Sequence, residues 1–135
     1  MRTALLLAAL TILPIPSGVA QNAPPACNGD YAIVRVSTIK PGAMEGFMKA
    51  VEAHKAWYRS RGFNDNVIVA SRVILTDPQT HAMKYSDAEV VTYHVRPPGV
   101  KQANRDAAWD AYVKMYRDTS DIKTEYYTCM PKLVP

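Results

Sequence analysis

The chain has 135 residues, with 16 basic against 12 acidic side chains and a formal net charge of +4 at pH 7. This length suits one compact domain and leaves too little chain for two. The basic residues are scattered rather than clustered, which argues against nucleic acid or an anionic membrane surface as a partner. No apolar run has the length of a membrane span, so no bilayer-spanning segment is expected either.

Residues 1–20 have the pattern of an export signal. Arg2 supplies a positive start, residues 4–13 form an apolar run too short to cross a bilayer, and the small residues at 18–20 suit signal peptidase. We therefore expect an exported protein, periplasmic or secreted. Its residues 21–30 would form an extended lead-in, and residues 31–135 would form one domain.

The first half of that domain begins with a strand and continues with a helix. Residues 31–39 alternate and are rich in β-branched side chains, which is typical of a strand, and Pro41 and Gly42 end it. The spacing then changes to three and four residues, which predicts a helix over residues 44–58. Its apolar face consists of Met44, Phe47, Met48, Val51, His54 and Tyr58.

The second half contains two more strands, a helix and a closing strand. Strands are predicted over residues 67–76 and 89–96, while residues 79–87 between them fit either an extension of the hairpin or a loop. A helix over residues 102–119 follows, and residues 122–130 form the fourth strand. The apolar stripe of this second helix consists of Ala108, Trp109, Tyr112, Met115 and Tyr116.

This order of elements is that of the α+β ferredoxin-like fold, βαββαβ, in which two helices cover one face of an antiparallel four-stranded sheet. Right-handed crossovers place the strands in the order four, one, three, two. The start of the first strand then lies beside the end of the last, where Cys27 and Cys129 are found. We expect a disulfide between them, because disulfides persist in oxidising compartments; the alternative is two free thiols.

Alternation along the strands predicts which side chains meet the helices. The uniformly apolar set at Ala32, Val34 and Val36 is expected to face them, with Ile33, Arg35 and Ser37 on the reverse face. By the same argument the second strand turns Val67 and Val69 towards the helices and Ile68 and Arg72 away. Because the reverse face is still largely apolar, something is expected to cover it.

With these two-sided strands, the element order and the helix over residues 44–58, the chain resembles the dimeric α/β barrel superfamily over roughly residues 31–130. That group includes the antibiotic-biosynthesis-type monooxygenases and the stress-responsive barrel proteins. The resemblance implies a homodimer whose subunits pack their open sheet faces together. It also implies a cleft between helices and sheet that works without a metal or an organic cofactor.

No catalytic or metal-binding signature accompanies this pattern. The chain lacks a Gly-rich phosphate loop, a GxSxG elbow and an HExxH motif, and its three histidines are far apart in sequence. Haem-binding members of the superfamily carry an axial histidine on the second helix, whereas this second helix has none. We therefore expect neither a metal nor another cofactor.

His54 and Tyr58 are the candidate catalytic residues, because they lie one turn apart on the sheet-facing side of the first helix. The resemblance implies that His54 takes a proton and that Tyr58 orients a carbonyl or phenolate of an aromatic or polyketide-like substrate. In the alternative, His54 is a histidine at the edge of the core that bonds a backbone carbonyl.

A second group of residues has side chains suited to binding a ligand. Arg35, Arg72 and His94 are expected to share the sheet face away from the helices, where two buried guanidiniums would need an anion such as a ligand carboxylate. The alternative is that they pair with Asp or Glu across the subunit interface, or lie at open strand ends. An aromatic pocket could also form from Trp57, Tyr93, Trp109, Tyr112 and Tyr116, although aromatic residues at helical spacing are more often part of the core.

Three functions of different classes remain open. The first is a small cofactor-independent enzyme, of monooxygenase, cyclase or isomerase type, acting on an aromatic or polyketide-like compound. The second is a non-catalytic binder of a small hydrophobic acid. The third is a dimeric module that binds another protein.

Overall fold

The structure is a computed structural model and describes residues 25–132, so the predicted signal at residues 1–20 lies outside the described residues. Seven elements follow one another: β1 (Asp30–Ile39), α1 (Met44–Arg59), β2 (Val67–Thr76), β3 (Met83–Val95), a single 3-10 turn (Gln102–Asn104), α2 (Ala107–Thr119) and β4 (Ser120–Met130). The predicted βαββαβ order is therefore confirmed. Among the described residues, none of the helices is long and apolar enough to cross a membrane.

The four strands form one antiparallel sheet in the order β2-β3-β1-β4. This is the order expected for a ferredoxin-like α+β fold, and the central pair β1 and β3 joins the two halves of the chain. Helices α1 and α2 pack beside each other on one face of the sheet. The chain thus has one covered face and one face without helices.

A disulfide joins Cys27 to Cys129 at the end of the β1–β4 pair, with 5.6 Å between the two Cα atoms. The pairing of Tyr31 with Cys129 in the sheet brings the two sulfurs within reach. Gly29 permits this close approach, because a Cβ at that position would lie 1.9 Å from the carbonyl oxygen of Met130. The predicted disulfide is confirmed, and it is consistent with an oxidising compartment.

Two element boundaries differ from the prediction by five residues or more, and the others agree within two residues. Strand β3 begins at Met83, so much of the segment 79–87, for which the sequence left two possibilities, extends the β2–β3 hairpin. Asp77 stabilises the turn of this hairpin by accepting hydrogen bonds from the backbone N–H groups of Gln79 and Thr80. Helix α2 begins at Ala107 rather than at residue 102, because the Asp106 carboxylate caps it by accepting from the backbone N–H of Trp109 at 3.0 Å.

The prediction of which sheet face meets the helices is wrong. The core against the helices contains Ile68 and Val90, and the β1–β3 pairing of Ile33 with His94 places Ile33, Arg35 and Ser37 on this same covered face. Alternation divides a strand into two faces but does not say which face the helices cover. Helix α1 brings His54 and Tyr58 to the sheet, and they meet the face that carries polar groups.

The face without helices is the more uniformly apolar of the two. The strand pairings place on its central part a set of uncharged side chains: Ala32, Val34, Val36, Val67, Val69, Ser71, Val91, Tyr93, Val95, Thr124, Tyr126 and Thr128. Two of them, Val69 and Tyr126, are 44% and 54% exposed. The same pairings place Asp30 and Glu89 on this face at opposite ends of β1, where they form ion pairs with Arg96 and Lys123. A face with an uncharged centre of this composition is typical of a surface that packs against a partner.

Candidate functional site

A cleft of about 630 Å³ lies between the two helices and the sheet. Each layer contributes side chains to it: α1 contributes His54 and Tyr58, α2 contributes Tyr112 and Tyr116, and the strands contribute others, among them His94. The volume is within the range of ordinary small-molecule sites. The cleft is therefore the candidate functional site.

Helical and strand periodicity bring these side chains together. His54 and Tyr58 are four residues apart on α1, and Tyr112 and Tyr116 are four residues apart on α2, so each pair lies on one face of its helix. On the central strand β3, His94 lies on the helix-covered face beside Ile33 of β1. The result is a cluster of rings contributed by both layers.

His54 is at the centre of this cluster and is 8% exposed. Its ring is stacked on that of Tyr112, with centroids 4.6 Å apart, and meets the His94 ring edge-on at 5.2 Å. Its Nδ1 atom lies 3.3 Å from the Tyr116 hydroxyl, within hydrogen-bond distance. Each ring that surrounds His54 thus limits how it can move.

Both histidines of the cluster are neutral at neutral pH. Burial, together with the nearby His94 and Arg35, lowers the pKa of His54 to about 3. Burial and the charge of Arg35 lower the pKa of His94 to about 4. At pH 7 the two imidazoles therefore act as uncharged hydrogen-bonding groups.

The position of the proton on His94 follows from its neighbour Asn66. The side-chain Nδ2 of Asn66 lies 3.2 Å from Nε2 of His94, and an amide nitrogen can only donate. Nε2 must therefore accept, which places the proton of the neutral ring on Nδ1. Among the described residues, that Nδ1–H has no hydrogen-bond acceptor.

Three tyrosines of the cleft are held in their neutral form. Burial raises the pKa of the Tyr58, Tyr112 and Tyr116 hydroxyls above that of a free phenol. The Tyr112 hydroxyl is buried and, within residues 25–132, has no hydrogen-bond partner. The same part of the chain offers none to the Tyr58 hydroxyl, whereas Tyr116 is bonded to His54.

Charged side chains occupy the more exposed parts of the lining. Arg35 is half-buried and forms an ion pair with Glu125 across the β1–β4 pair. Arg105 lies over the Trp109 ring, with the guanidinium carbon 4.9 Å from the ring centroid. Arg117 and Asp121 are also part of the lining. Three cationic groups against the two carboxylates of Glu125 and Asp121 give the cleft a small excess of positive charge.

A polar clamp joins the end of α1 to the start of α2 beside the cleft. The Trp57 indole N–H donates to the Asp106 carboxylate at 2.9 Å, and Arg61 both pairs with Asp106 and lies 4.0 Å over the Trp57 ring. The hydrogen bond from Trp57 is the main reason that the pKa of Asp106 is lowered. The clamp fixes the position of Trp109, whose backbone N–H also bonds Asp106.

Of the predicted catalytic and ligand-binding residues, seven line the cleft: Arg35, His54, Tyr58, His94, Trp109, Tyr112 and Tyr116. Arg72 does not, because it pairs with Asp87 at 2.8 Å and lies over the Tyr85 ring. Tyr93 does not either, since it pairs with Val34 and Val69 on the opposite face of the sheet. The predicted cluster of Arg35, Arg72 and His94 on the face away from the helices is therefore wrong.

Sequence reasoning missed Asn66 and Arg105. Asn66 precedes β2, and Arg105 immediately precedes the cap of α2, so neither belongs to a periodic pattern. Polar residues at the ends of elements are a weak signal, because such positions are also typical of solvent-exposed loops. Within residues 25–132, no group of three or more histidine, cysteine or acidic side chains is arranged to hold a metal ion.

No protein-family model matches the chain, and no curated protein sequence matches it. A solved structure of a phage SAM lyase in complex with S-methyl-5'-thioadenosine is similar over 78% of this chain and 94% of that chain, with 10% identity and a TM-score of 0.28. A similarity at this level carries no argument about function. The ferredoxin-like arrangement of this chain is instead established by its own strand order and register.

Proposed function

We propose that the protein is an exported small-molecule-binding domain whose cleft takes an aromatic or polyketide-like compound. The observation that carries the proposal is the cleft of about 630 Å³ with aromatic and imidazole rings from both helices and from the sheet. Rings supply large, rigid contact surfaces, and offset or edge-on contacts between aromatic rings are favourable. A planar ligand would extend the packing that the cluster already has.

The polar groups of the cleft support a ligand with one or more oxygen substituents. His54 and His94 are neutral, while Arg35 and Arg105 supply positive charge at less buried positions. A small hydrophobic acid would place its ring among the buried side chains and its charge near an arginine. The Cys27–Cys129 disulfide supports a site of action outside the reducing cytoplasm, in agreement with the export signal expected from the sequence.

Binding can be followed through the fluorescence of the chain's two tryptophans. Trp109 lines the cleft, and the Trp57 ring meets the Trp109 ring edge-on, with 4.8 Å between the centroids. We expect saturable quenching of tryptophan fluorescence by naphthoate and by 4-nitrophenol, and no response to acetate or glucose. Mass spectrometry of small molecules that copurify with the protein would identify the natural compound. A tryptophan signal that no aromatic probe changes, together with copurified material free of aromatic compounds, would contradict the proposal.

A second candidate function is cofactor-independent catalysis on the same class of compound. His54 and Tyr58 favour it, because they lie side by side in the cleft with ring centroids 5.2 Å apart. A pKa of about 3 makes His54 a weak base in the empty cleft, but an anion formed next to it would stabilise the imidazolium and raise that pKa. Turnover that is unchanged in His54→Gln would exclude His54 as the base.

We also propose that two copies of the chain pack their helix-free sheet faces together. The central side chains of this face are uncharged, and Asp30 and Glu89 at its ends are paired with Arg96 and Lys123, so a twofold-related copy can approach the centre without like-charge repulsion. The extended β2–β3 hairpin adds further exposed apolar side chains, among them Ile74 at 56% and Met83 at 73% exposure. A homodimer would bury the valine-rich face and leave the cleft on its outer side.

A further inference from the structure

We infer that the cleft binds its ligand as an oxyanion, a phenolate or an enolate, through uncharged hydrogen-bond donors. This inference rests on the proposed function and specifies which chemical form of an aromatic or polyketide-like compound the cleft selects. The reason is that several hydrogen-bond donors lining the cleft have no acceptor among the described residues.

His94 contributes one donor. Its Nε2 accepts from the Asn66 amide at 3.2 Å, so Nδ1 carries the proton and has no acceptor within residues 25–132. Because burial keeps the ring neutral, this N–H is available without the cost of holding a charge in the cleft. Asn66 acts as a positioning residue, since it fixes the tautomer through the other ring nitrogen.

The pair formed by His54 and Tyr116 contributes a second donor. Nδ1 of His54 and the Tyr116 hydroxyl are 3.3 Å apart, and one proton lies between them. If the Tyr116 hydroxyl donates to Nδ1, the neutral His54 ring carries its own proton on Nε2. If Nδ1–H of His54 donates instead, the hydroxyl proton of Tyr116 is not used in the bond. In either arrangement one donor hydrogen of the pair has no acceptor among the described residues.

Tyr58 contributes a third donor. Its hydroxyl has no hydrogen-bond partner in the described part of the chain, and Tyr58 lines the same cleft as His54 and His94. Tyr112 contributes only its ring, because its unpartnered hydroxyl is fully buried and has no surface open to a ligand.

Three carboxylates lie near these donors, and none of them forms a hydrogen bond with the donors among the described residues. Glu125 is engaged by Arg35, Asp121 is an exposed residue at the start of β4, and Glu52 raises the pKa of Tyr116. Arg35 also adds positive potential, which is why it contributes to the lowered pKa of both histidines. Burial by itself raises the pKa of a phenol, as it does for Tyr58 and Tyr116. For a bound ligand we expect the preorganised donors and the charge of Arg35 to outweigh this cost, so that the oxygen carrying negative charge is favoured.

The consequence is a measurable change in the acidity of a bound phenol. When 4-nitrophenol ionises in the cleft, its O–H bond breaks, the proton leaves to the buffer, and the phenolate oxygen accepts the unused donors. The absorbance of the nitrophenolate reports this ionisation directly. We expect the pKa of the bound phenol to be lower than that of the free phenol by about one unit or more, a tenfold preference for the anion.

A matched probe separates the two proposals. 4-Nitroanisole has the same ring but no ionisable proton, and we expect it to bind at least tenfold more weakly than 4-nitrophenolate. Equal binding of the two probes, with an unchanged or raised pKa of the bound phenol, would overturn the oxyanion inference and leave the small-molecule function standing. Failure of both probes to bind would contradict the small-molecule function itself.

Conservative variants then test the Tyr58 donor. Tyr58→Phe removes one hydroxyl and keeps the ring, so it should raise the pKa of the bound phenol towards its free value. Tyr112→Phe removes a hydroxyl that has no surface open to the cleft, and Tyr93→Phe removes one from the opposite face of the sheet, so both should leave that pKa unchanged. If Tyr58→Phe gave the pKa of the unaltered protein, the Tyr58 hydroxyl would not be a donor to the ligand and the inference would be wrong.

Discussion

The imidazole of His54 lies almost parallel to the ring of Tyr112, with 4.6 Å between centroids and 16° between planes. This contact connects α1 to α2 in the centre of the ring cluster. It also places a titratable side chain beside a buried hydroxyl that has no partner within residues 25–132. Protonation of His54 and truncation of Tyr112 therefore both change the same ring contact between α1 and α2.

Acidification should destabilise the protein below pH 6.5. Burial lowers the pKa of His54 to about 3 and that of His94 to about 4 from the ordinary value of 6.5, so between these limits the unfolded chain binds protons that the folded chain does not. The stability is fully present above pH 6.5 and falls as pH falls, by roughly 1.4 kcal/mol per pH unit for each histidine within its window. Urea unfolding at several pH values measures this slope.

The double variant His54→Gln with His94→Gln should flatten that slope, whatever its effect on stability at pH 7. His81→Asn is the matched control, because His81 is exposed in the β2–β3 turn at a positive φ that asparagine tolerates. The control should keep the slope of the unaltered protein. An equal slope in all three proteins would show that the two buried histidines do not cause the pH dependence.

Removing the Tyr112 hydroxyl should stabilise the protein without ligand. Tyr112→Phe deletes a buried polar group that has no partner in the described structure, and we expect a gain of about 1 kcal/mol in the free energy of unfolding. Tyr116→Phe is the matched control, because its hydroxyl bonds His54 and its loss should destabilise by a similar amount. Chemical unfolding of both variants measures the two signs, and a loss of stability in Tyr112→Phe would contradict the assignment of an unpaired hydroxyl.

Reduction of the disulfide should cost a large part of the stability. The bond links residues 102 positions apart, and in the chain-entropy model a loop of that size contributes about 4 to 5 kcal/mol. The double variant Cys27→Ser with Cys129→Ser should therefore unfold at much lower urea concentration. Adding a reductant should shift the midpoint of the unaltered protein in the same direction and leave that of the double variant unchanged.

Loss of the Asp106 carboxylate should loosen the junction between the helices. Asp106→Ala removes the cap of α2, the acceptor for the Trp57 indole and the partner of Arg61, and we expect the melting temperature to fall by several degrees. Asp110→Ala is the control, since it removes an acidic residue from the first turn of the same helix without touching the cap. Equal melting temperatures of the two variants would show that the clamp is unimportant.

A charge on the valine-rich sheet face should separate the proposed dimer. Val69 is 44% exposed on this face, and Val69→Lys would place a cation against its twofold copy. Light scattering should then give the mass of one chain, against two for the unaltered protein. Lys49→Glu, on the outer side of α1, should leave the mass unchanged; a single-chain mass for the unaltered protein would contradict the dimer.

Much of the architecture could be predicted because it depends on local periodicity. The bounds of β2 agree at both ends, and the beginning of α1 is fixed by the change in spacing after Pro41 and Gly42. The disulfide could be predicted because topology alone makes Cys27 and Cys129 neighbours. These features depend on the order of elements, which a sequence records directly.

The covered face of the sheet could not be predicted, because the helices cover the more polar face of β1, with Arg35 and Ser37, rather than the uniformly apolar one. The choice depends on which face fits His54 and Tyr58, and that is a property of packing between elements. His54 and Tyr58 could be predicted together because they lie four residues apart on one helix. The contact of His94 with Asn66 could not, because it joins residues 28 positions apart that belong to different elements. Arg72 was misplaced because its neighbour Asp87 lies in the irregular part of the hairpin.

The position of the disulfide determines from which end the sheet can open. Cys27 and Cys129 lock the β1–β4 pair at one end, whereas the other end, where Ile39 pairs with Ser120, carries no covalent link. Separation of these two strands must therefore begin at Ser120 and proceed towards the cysteines. Ser37, Ser120 and Ile122 lie at that unlinked end and line the cleft, so backbone fraying there would widen the cleft while Cys27 and Cys129 stay joined.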